Sequence, residues 1–213
     1  MTQHIIFDLD GTLIDSKLEI LDTYREVFRQ VPTIKTINLD SIDLVATLQA
    51  NLESFYGANL DAISKARKVF SEVYDQSNYN KTHLYNGVFD TLKYLHEFKN
   101  IIHIATNKRL APTLRILEYK NLTHFIKSIK ASDMLSTQLL SKEEMVKLIC
   151  GEYSIEKGIM VGDSGKDVEA GNSCQLTTVA VTYGYEKKEI IIKKKPTFVI
   201  DSIEELINIS RNN

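Results

Sequence analysis

Only two cysteines, Cys150 and Cys174, occur in the 213 residues, and neither sits in a CxxC or cysteine–histidine spacing. That excludes a disulfide framework and a cysteine-based zinc site, and it implies free thiols in a reducing compartment. No apolar run approaches the ~20 residues that span a bilayer. The opening Met1 to His4 carries no basic stretch and passes straight into Ile5-Ile6-Phe7, so no signal peptide is expected and the expected compartment is the cytoplasm. Charge of one sign is also lacking: the net charge is −2 and the 26 basic residues are scattered, with no basic stripe for nucleic acid. The densest basic cluster, Lys193 to Lys195 shortly after Lys187 and Lys188, reads as a solvated helix end. Three prolines and nine glycines punctuate the chain sparsely, so each glycine cluster marks the edge of a periodic segment.

What is present is ordinary for a globular chain, 43% hydrophobic and 25% charged, and long enough for one main core plus a modest extra unit. Residues 4–8 read as a short buried strand that ends at Gly11. From Ser16, apolar residues recur at three- and four-residue spacing: Leu18, Leu21, Tyr24, Val27, Phe28 and Val31, then a second run over about 40–56, then Ile63, Ala66, Val69, Phe70, Val73 and Tyr74. This stretch predicts helices and no strand. It gives way to a polar segment, 75–86, that reads as a linker.

Beyond Gly87 the pattern alternates. Helices are expected over 88–98, 111–119, 141–150, 166–172 and 202–209, and strands over 101–105, 125–129, 158–161, 177–181 and 198–200. Ser141 with Glu144 three residues on is a capping box for the third of these helices. Strands alternating with helices imply a parallel, doubly wound α/β sheet. The segments 1–15 and 83–213 then form the α/β core, and 16–82 is an all-helical insertion after the first strand.

Ligands bind at the carboxyl ends of the strands in such sheets, so the residues there matter most. The first strand runs out in Asp8-Leu9-Asp10-Gly11-Thr12. Side chains alternate along a strand, which places Asp8 and Asp10 on one side. Two close carboxylates repel, and a cation with a phosphate ester would relieve this. Gly11 allows a tight turn and a close approach of main-chain N–H groups to an anion. The strand at 101–105 leads into Thr106 and Asn107, a hydroxyl and an N–H able to donate to phosphate oxygens. The strand at 158–161 leads into Gly162-Asp163-Ser164, with Asp167 four residues beyond Asp163. Lys142 lies in the first turn of its helix. Gly165-Lys166 is followed by Asp167 rather than a hydroxyl residue, so it is no P-loop. His103, on an apolar strand, reads as a satisfied core residue.

These residues resemble the haloacid dehalogenase-like hydrolases along essentially the whole chain. Asp8-Leu9-Asp10-Gly11-Thr12-Leu13 followed by Asp15-Ser16 is similar to the family's first motif in its phosphoglycolate phosphatase-like members. Thr106-Asn107-Lys108 resembles the second motif, Lys142 stands where the third-motif lysine is expected, and Gly162-Asp163-Ser164 with Asp167 and Ala170-Gly171 resembles the fourth. Many members write Lys-Pro at the third motif, where this chain has Lys142-Glu143. The insertion is similar to the family's helical cap, and the core to its Rossmann-like sheet.

The resemblance implies a Mg²⁺-dependent phosphomonoester hydrolase acting on a small phosphorylated metabolite. Asp8 would attack phosphorus to form an aspartyl phosphate, and Asp10 would serve as general acid and then general base. Mg²⁺ would meet Asp8, the main-chain carbonyl of Asp10, and Asp163. Asp167 would orient Lys142 or metal-bound water, and Thr106, Asn107 and Lys142 would hold the transferring group. No nucleic-acid or membrane partner is implied, and both monomer and homodimer occur in the family. A sugar phosphomutase would use the same aspartates, although Thr12-Leu13 after Gly11 favours a hydrolase. A dehalogenase would lack Asp10. A phosphoacceptor or phosphate-binding module without catalysis would be shorter or would have lost a carboxylate.

Overall fold

The structure is a computed structural model that describes residues 3–33, 38–135 and 138–212. The chain divides into two compact units, Met1–Asp15 with Leu84–Asn213, and Ser16–His83.

The first unit is the α/β unit. Its strands are β1 (His4–Phe7), β2 (Ile14–Asp15), then, beyond the second unit and a two-residue β3 (His83–Leu84), β4 (Ile101–Thr106), β5 (Ile126–Ala131), β6 (Gly158–Gly162), β7 (Thr177–Val181) and β8 (Phe198–Ile200). A six-stranded sheet runs in the order β5-β4-β1-β6-β7-β8, and every pairing in it is parallel. The expected doubly wound α/β sheet is therefore present. Its strands read as continuous apolar runs because helices cover both faces of a parallel sheet. Ile5, Ile6 and Phe7 of β1 are fully buried, and each such side chain contributes about 1.5–3 kcal/mol of burial. Between the strands lie α4 (Val88–Glu97), α5 (Leu110–Tyr119), α6 (Lys142–Tyr153), α7 (Gly165–Ser173) and α8 (Lys188–Ile192), with α9 (Leu206–Asn212) after β8. Strand order reverses at β1, whose neighbours β4 and β6 follow it in the chain on opposite sides. Register puts Phe7 level with Ile104 and Val161, so the residues after these three strands emerge together at one edge.

The capping box expected at Ser141 and Glu144 opens α6. The helix α8 was not among the helices expected, although it ends at the basic cluster that reads as a solvated helix end. The basic run around it carries Ile191, which is buried with Val168 and Ala180, and its lysines pair outward, Lys188 with Asp201 and Lys194 with Glu169. His103 is fully buried and satisfied, with one ring nitrogen 3.0 Å from His4 Nδ1 and the other 2.7 Å from Ser128 Oγ. Burial pushes its pKa down to about 4, so the ring is neutral. Cys150 and Cys174 are free thiols.

The second unit is helical: α1 (Lys17–Gln30), α2 (Leu48–Tyr56) and α3 (Leu60–Gln76). Tyr24, Val27 and Phe28 of α1 pack with Leu52, Phe55, Ile63 and Ala66, and the Phe28 and Phe55 rings meet edge to face 4.8 Å apart. The helix expected over 40–56 starts only at Leu48. Upstream, the Asp43 carboxylate accepts from the N–H groups of Val45 and Ala46, and the Asn51 side chain bonds both main-chain groups of Asp43. Those side-chain bonds satisfy the backbone in place of a helix, and Thr47 caps α2 by accepting from Ala50. Among the described residues no helix is long and apolar enough to cross a membrane.

Candidate active site

Strand β1 ends at Phe7, and Asp8 extends its ladder by donating its N–H to the Val161 carbonyl at 2.9 Å. A turn follows. The Leu9 carbonyl accepts from the N–H groups of Leu13 and Ile14 at 2.9 and 3.0 Å, and Gly11 closes the loop by donating to Ile14 at 2.8 Å. Gly11 sits at φ +82, and a side chain there would strike the Asp163 carboxylate at 2.1 Å. Glycine is required on both counts. The two aspartates acquire separate partners. The Asp8 carboxylate is held by Lys142 Nζ, whereas Asp10 Oδ1 lies 3.1 Å from Lys108 Nζ.

Lys142 is almost wholly buried. Besides Asp8, its ammonium donates to the Ala105 carbonyl at 2.8 Å and sits 3.0 Å from Asp167 Oδ1. The first two are hydrogen bonds and the third an ion pair, so Asp167 Oδ1 is buried without a hydrogen-bond partner among the described residues. Burial alone would lower the lysine's pKa, but the Asp167 and Asp8 carboxylates outweigh it and push the pKa up. Asp167 has a second task. Its Oδ2 accepts from the Ser164 N–H at 3.0 Å and the Ser164 hydroxyl at 2.6 Å, a capping box for α7.

Asp163, at the end of β6, receives the Tyr185 N–H at 2.7 Å on Oδ2 and the Thr12 hydroxyl at 3.4 Å on Oδ1. Burial, aided by the Asp167 charge, raises its pKa to about 7, and burial likewise holds Asp8 well above the usual carboxylate range. Carboxylate oxygens of Asp8, Asp163 and Asp167 lie within 4.8 Å of one another. These residues fit a hard divalent cation. The donors are all oxygen, and three buried carboxylates share one ammonium, which leaves negative charge for a cation to balance. Asp8, Asp163 and Asp167 each offer an oxygen that could hold it.

Thr106 ends β4 and is buried. Its hydroxyl oxygen accepts from the Lys108 N–H at 3.1 Å. Ser132 fixes the same turn from the end of β5: its N–H donates to the Thr106 carbonyl at 3.1 Å and its hydroxyl to the Asn107 carbonyl at 2.7 Å. Thus Thr106 and Asn107 stand at the end of β4, beside the strand that delivers Asp8 and Asp10.

Sequence reasoning missed several groups of this site. Lys108 was named only as part of the second motif, with no role, and Ser132 and the loop 183–186 were not singled out. In that loop Tyr183 donates its hydroxyl to the Thr12 carbonyl at 2.9 Å, Tyr185 donates its hydroxyl to Asp15 at 3.1 Å, and Glu186 accepts from the first N–H of α7 at 2.5 Å. Gly184 lies so close that a side chain would meet Asp163 Cβ at 2.2 Å and the Gly11 carbonyl at 2.4 Å. The available signal was a glycine between two tyrosines in the loop after β7, at the same sheet edge as Asp163.

Comparison with known proteins extends the geometry. The family described as haloacid dehalogenase-like hydrolase matches residues 5–181. A phosphoglycolate phosphatase of Vibrio cholerae is 29% identical over 96% of this chain and 95% of its own length. The pyrophosphatase PpaX of Listeria welshimeri is 25% identical over 98% of this chain and 96% of its own. A haloacid dehalogenase-like hydrolase structure from Streptococcus pneumoniae superposes with a TM-score of 0.87, covering 98% of each chain at 19% identity, which shows the shared fold.

Proposed function

The chain belongs to the haloacid dehalogenase-like hydrolases, and we propose that within this family it hydrolyses small phosphomonoesters of the phosphoglycolate type through a phosphorylated Asp8. One observation carries the reading: two carboxylates two residues apart have different partners, Asp8 with Lys142 and Asp10 with Lys108. Different partners allow different tasks. The similarity to a phosphoglycolate phosphatase over nearly the full length supports the substrate class.

In this mechanism an Asp8 oxygen attacks phosphorus as the bond to the leaving oxygen breaks. The electron pair of that bond stays on the leaving oxygen, which takes a proton from Asp10. Asp10, now a carboxylate, then takes a proton from water as the water oxygen attacks phosphorus. The Asp8–phosphorus bond breaks, phosphate departs, and both aspartates return to their starting forms. Lys142 holds Asp8 in place. Thr106 and the Asn107 N–H donate to the phosphoryl oxygens as charge spreads over them. Asp167 keeps Lys142 aimed while it caps α7. Mg²⁺ held by Asp8 and Asp163 would neutralise charge on the transferring group. The loop at Gly184 and Tyr185 fixes the Asp163 carboxylate by a main-chain bond. The reading carries with it a cytoplasmic enzyme, monomeric or homodimeric, with no nucleic-acid or membrane partner.

The test is phosphate release from a panel of phosphomonoesters with and without Mg²⁺, for the wild type and Asp8→Asn. Mg²⁺-dependent release that disappears in the variant is expected. Release unaffected by Asp8→Asn would refute the covalent route. Conversion of a sugar 1-phosphate to its isomer, with little free phosphate, would replace the hydrolase by a mutase.

A further inference from the structure

We propose that Lys108 selects the leaving group, accepting esters and anhydrides of phosphate whose leaving group carries its own negative charge next to the oxygen that Asp10 protonates. The proposal rests on the hydrolase reading above and adds a specificity residue to it.

Two lysines enter the site, and their hydrogen bonds divide them. Lys142 is committed to the nucleophile's side of the site, hydrogen-bonded to Asp8 and the Ala105 carbonyl and ion-paired with Asp167. Its charge serves the nucleophile. Lys108 is placed on the other aspartate, with Nζ 3.1 Å from Asp10 Oδ1 and a side chain only 7% exposed. Its main chain is anchored: its N–H donates to Thr106 Oγ1, and Ser132 ties down the carbonyls of Thr106 and Asn107. The stem therefore starts from a fixed point and carries a compact point charge to Asp10.

Distances then limit what the ammonium meets. A general acid must come within about 2.6–3.2 Å of the oxygen it protonates. An ammonium 3.1 Å from that same acid reaches an anionic group one or two bonds beyond the leaving oxygen. The carboxylate of a glycolate leaving group falls there, and so do the oxygens of a phosphate leaving group. A neutral alcohol offers Lys108 nothing, and an amine in that position meets like charge in a poorly solvated corner. When the phosphorus–oxygen bond breaks, Asp10 loses its proton to the leaving oxygen and becomes a full carboxylate. Lys108 then faces both that carboxylate and the departing anion, so it stabilises the charge that develops on the acid as well as the charge the substrate brought.

The experiment compares kcat/KM of the Mg²⁺-loaded enzyme on 2-phosphoglycolate, inorganic pyrophosphate, ethyl phosphate and phosphoethanolamine, for wild type, Lys108→Met and Lys108→Arg. The wild type is expected to prefer the two anionic leaving groups by at least about 10-fold. Lys108→Met is expected to lose about 10–100-fold more on those two than on ethyl phosphate, the range for one hydrogen bond to a charged group, beyond any loss common to all four substrates through Asp10. Lys108→Arg, which keeps the charge, should restore most of the preference. A wild type that turns over ethyl phosphate as well as phosphoglycolate overturns the proposal without any variant. So does a Lys108→Met loss of equal size on all four substrates, which would confine Lys108 to Asp10. Absence of Asp8-dependent turnover on every substrate would instead refute the hydrolase reading, and this inference with it.

Discussion

Replacing Lys142 by methionine keeps the length and much of the volume of the side chain but removes the ammonium shared by Asp8 and Asp167. The lysine is 4% exposed, Asp167 1% and Asp8 10%, so solvent screens this cluster little. Two unit charges 4 Å apart interact by about 4 kcal/mol at an effective dielectric constant of 20. Deleting one partner of a buried pair costs about 3–5 kcal/mol, because the remaining charge stays desolvated. We expect a loss in that range at pH 8 in chelator. The loss should shrink at pH 5. Burial already raises the folded-state pKa of Asp8 above its unfolded value, so the stability its protonated form contributes is present at low pH and disappears as pH rises through the folded pKa. Without the ammonium that folded pKa rises further, and protonation at pH 5 relieves the uncompensated charge. Thermal melts followed by circular dichroism measure it. At about 2–4 °C per kcal/mol for a chain of this size, the midpoint at pH 8 should fall by roughly 6–20 °C. Lys147→Met, which removes an exposed ion pair with Glu143 on the same helix, should leave the midpoint unmoved. A Lys142→Met deficit below about 1 kcal/mol at pH 8, or one equal at both pH values, would refute the buried-charge argument.

Other outcomes follow from the same geometry. Gly184→Ala places a methyl group 2.2 Å from Asp163 Cβ and 2.4 Å from the Gly11 carbonyl, so it should cost about 1–3 kcal/mol in stability. It should also weaken Mg²⁺ binding, read by isothermal titration calorimetry. Unchanged Mg²⁺ affinity would mean that Asp163 is not held from this loop. The His103 pKa is lowered to about 4 by burial; the unfolded chain therefore takes up a proton on this ring near pH 6.5 while the folded chain does not. Stability should fall as pH drops from about 6.5 toward 4, by up to about 1.4 kcal/mol per pH unit for one such group. The difference between wild type and His103→Gln in denaturant titrations across that range isolates the effect, and identical pH slopes would contradict it.

Much of the fold could be read from residues whose local chemistry leaves few choices. Ser141 with Glu144 starts α6 within the sequence itself, and the apolar runs around Ile5, Ile102 and Ile159 can only be buried strands when helices alternate with them. The aspartates at the ends of β1 and β6 met at one edge because a parallel sheet brings its carboxyl ends together. Two kinds of feature stayed hidden. In 42–47 the side chains of Asp43 and Asn51 capture backbone groups, so an apolar spacing suited to a helix is overruled by local hydrogen bonds. At the site, Asp163 is held by a main-chain N–H from Tyr185, and a backbone group carries no residue signature. The contact of Lys108 with Asp10 depends on how two turns after neighbouring strands approach one another, which periodicity along one strand does not specify.

The position of β1 in the sheet has a consequence for synthesis. Its partners on either side are β4 and β6, so the strand that delivers Asp8 leaves the ribosome about 150 residues ahead of the last neighbour it needs. At about 5–20 residues per second, that is a wait of roughly 8–30 s. The helical unit, contiguous over Ser16–His83, has no such delay and can be complete while β1 is still unpaired. An apolar edge without a partner invites intermolecular pairing, so the length of this interval, more than the final stability, should govern how much of the protein aggregates when translation slows between residues 84 and 158.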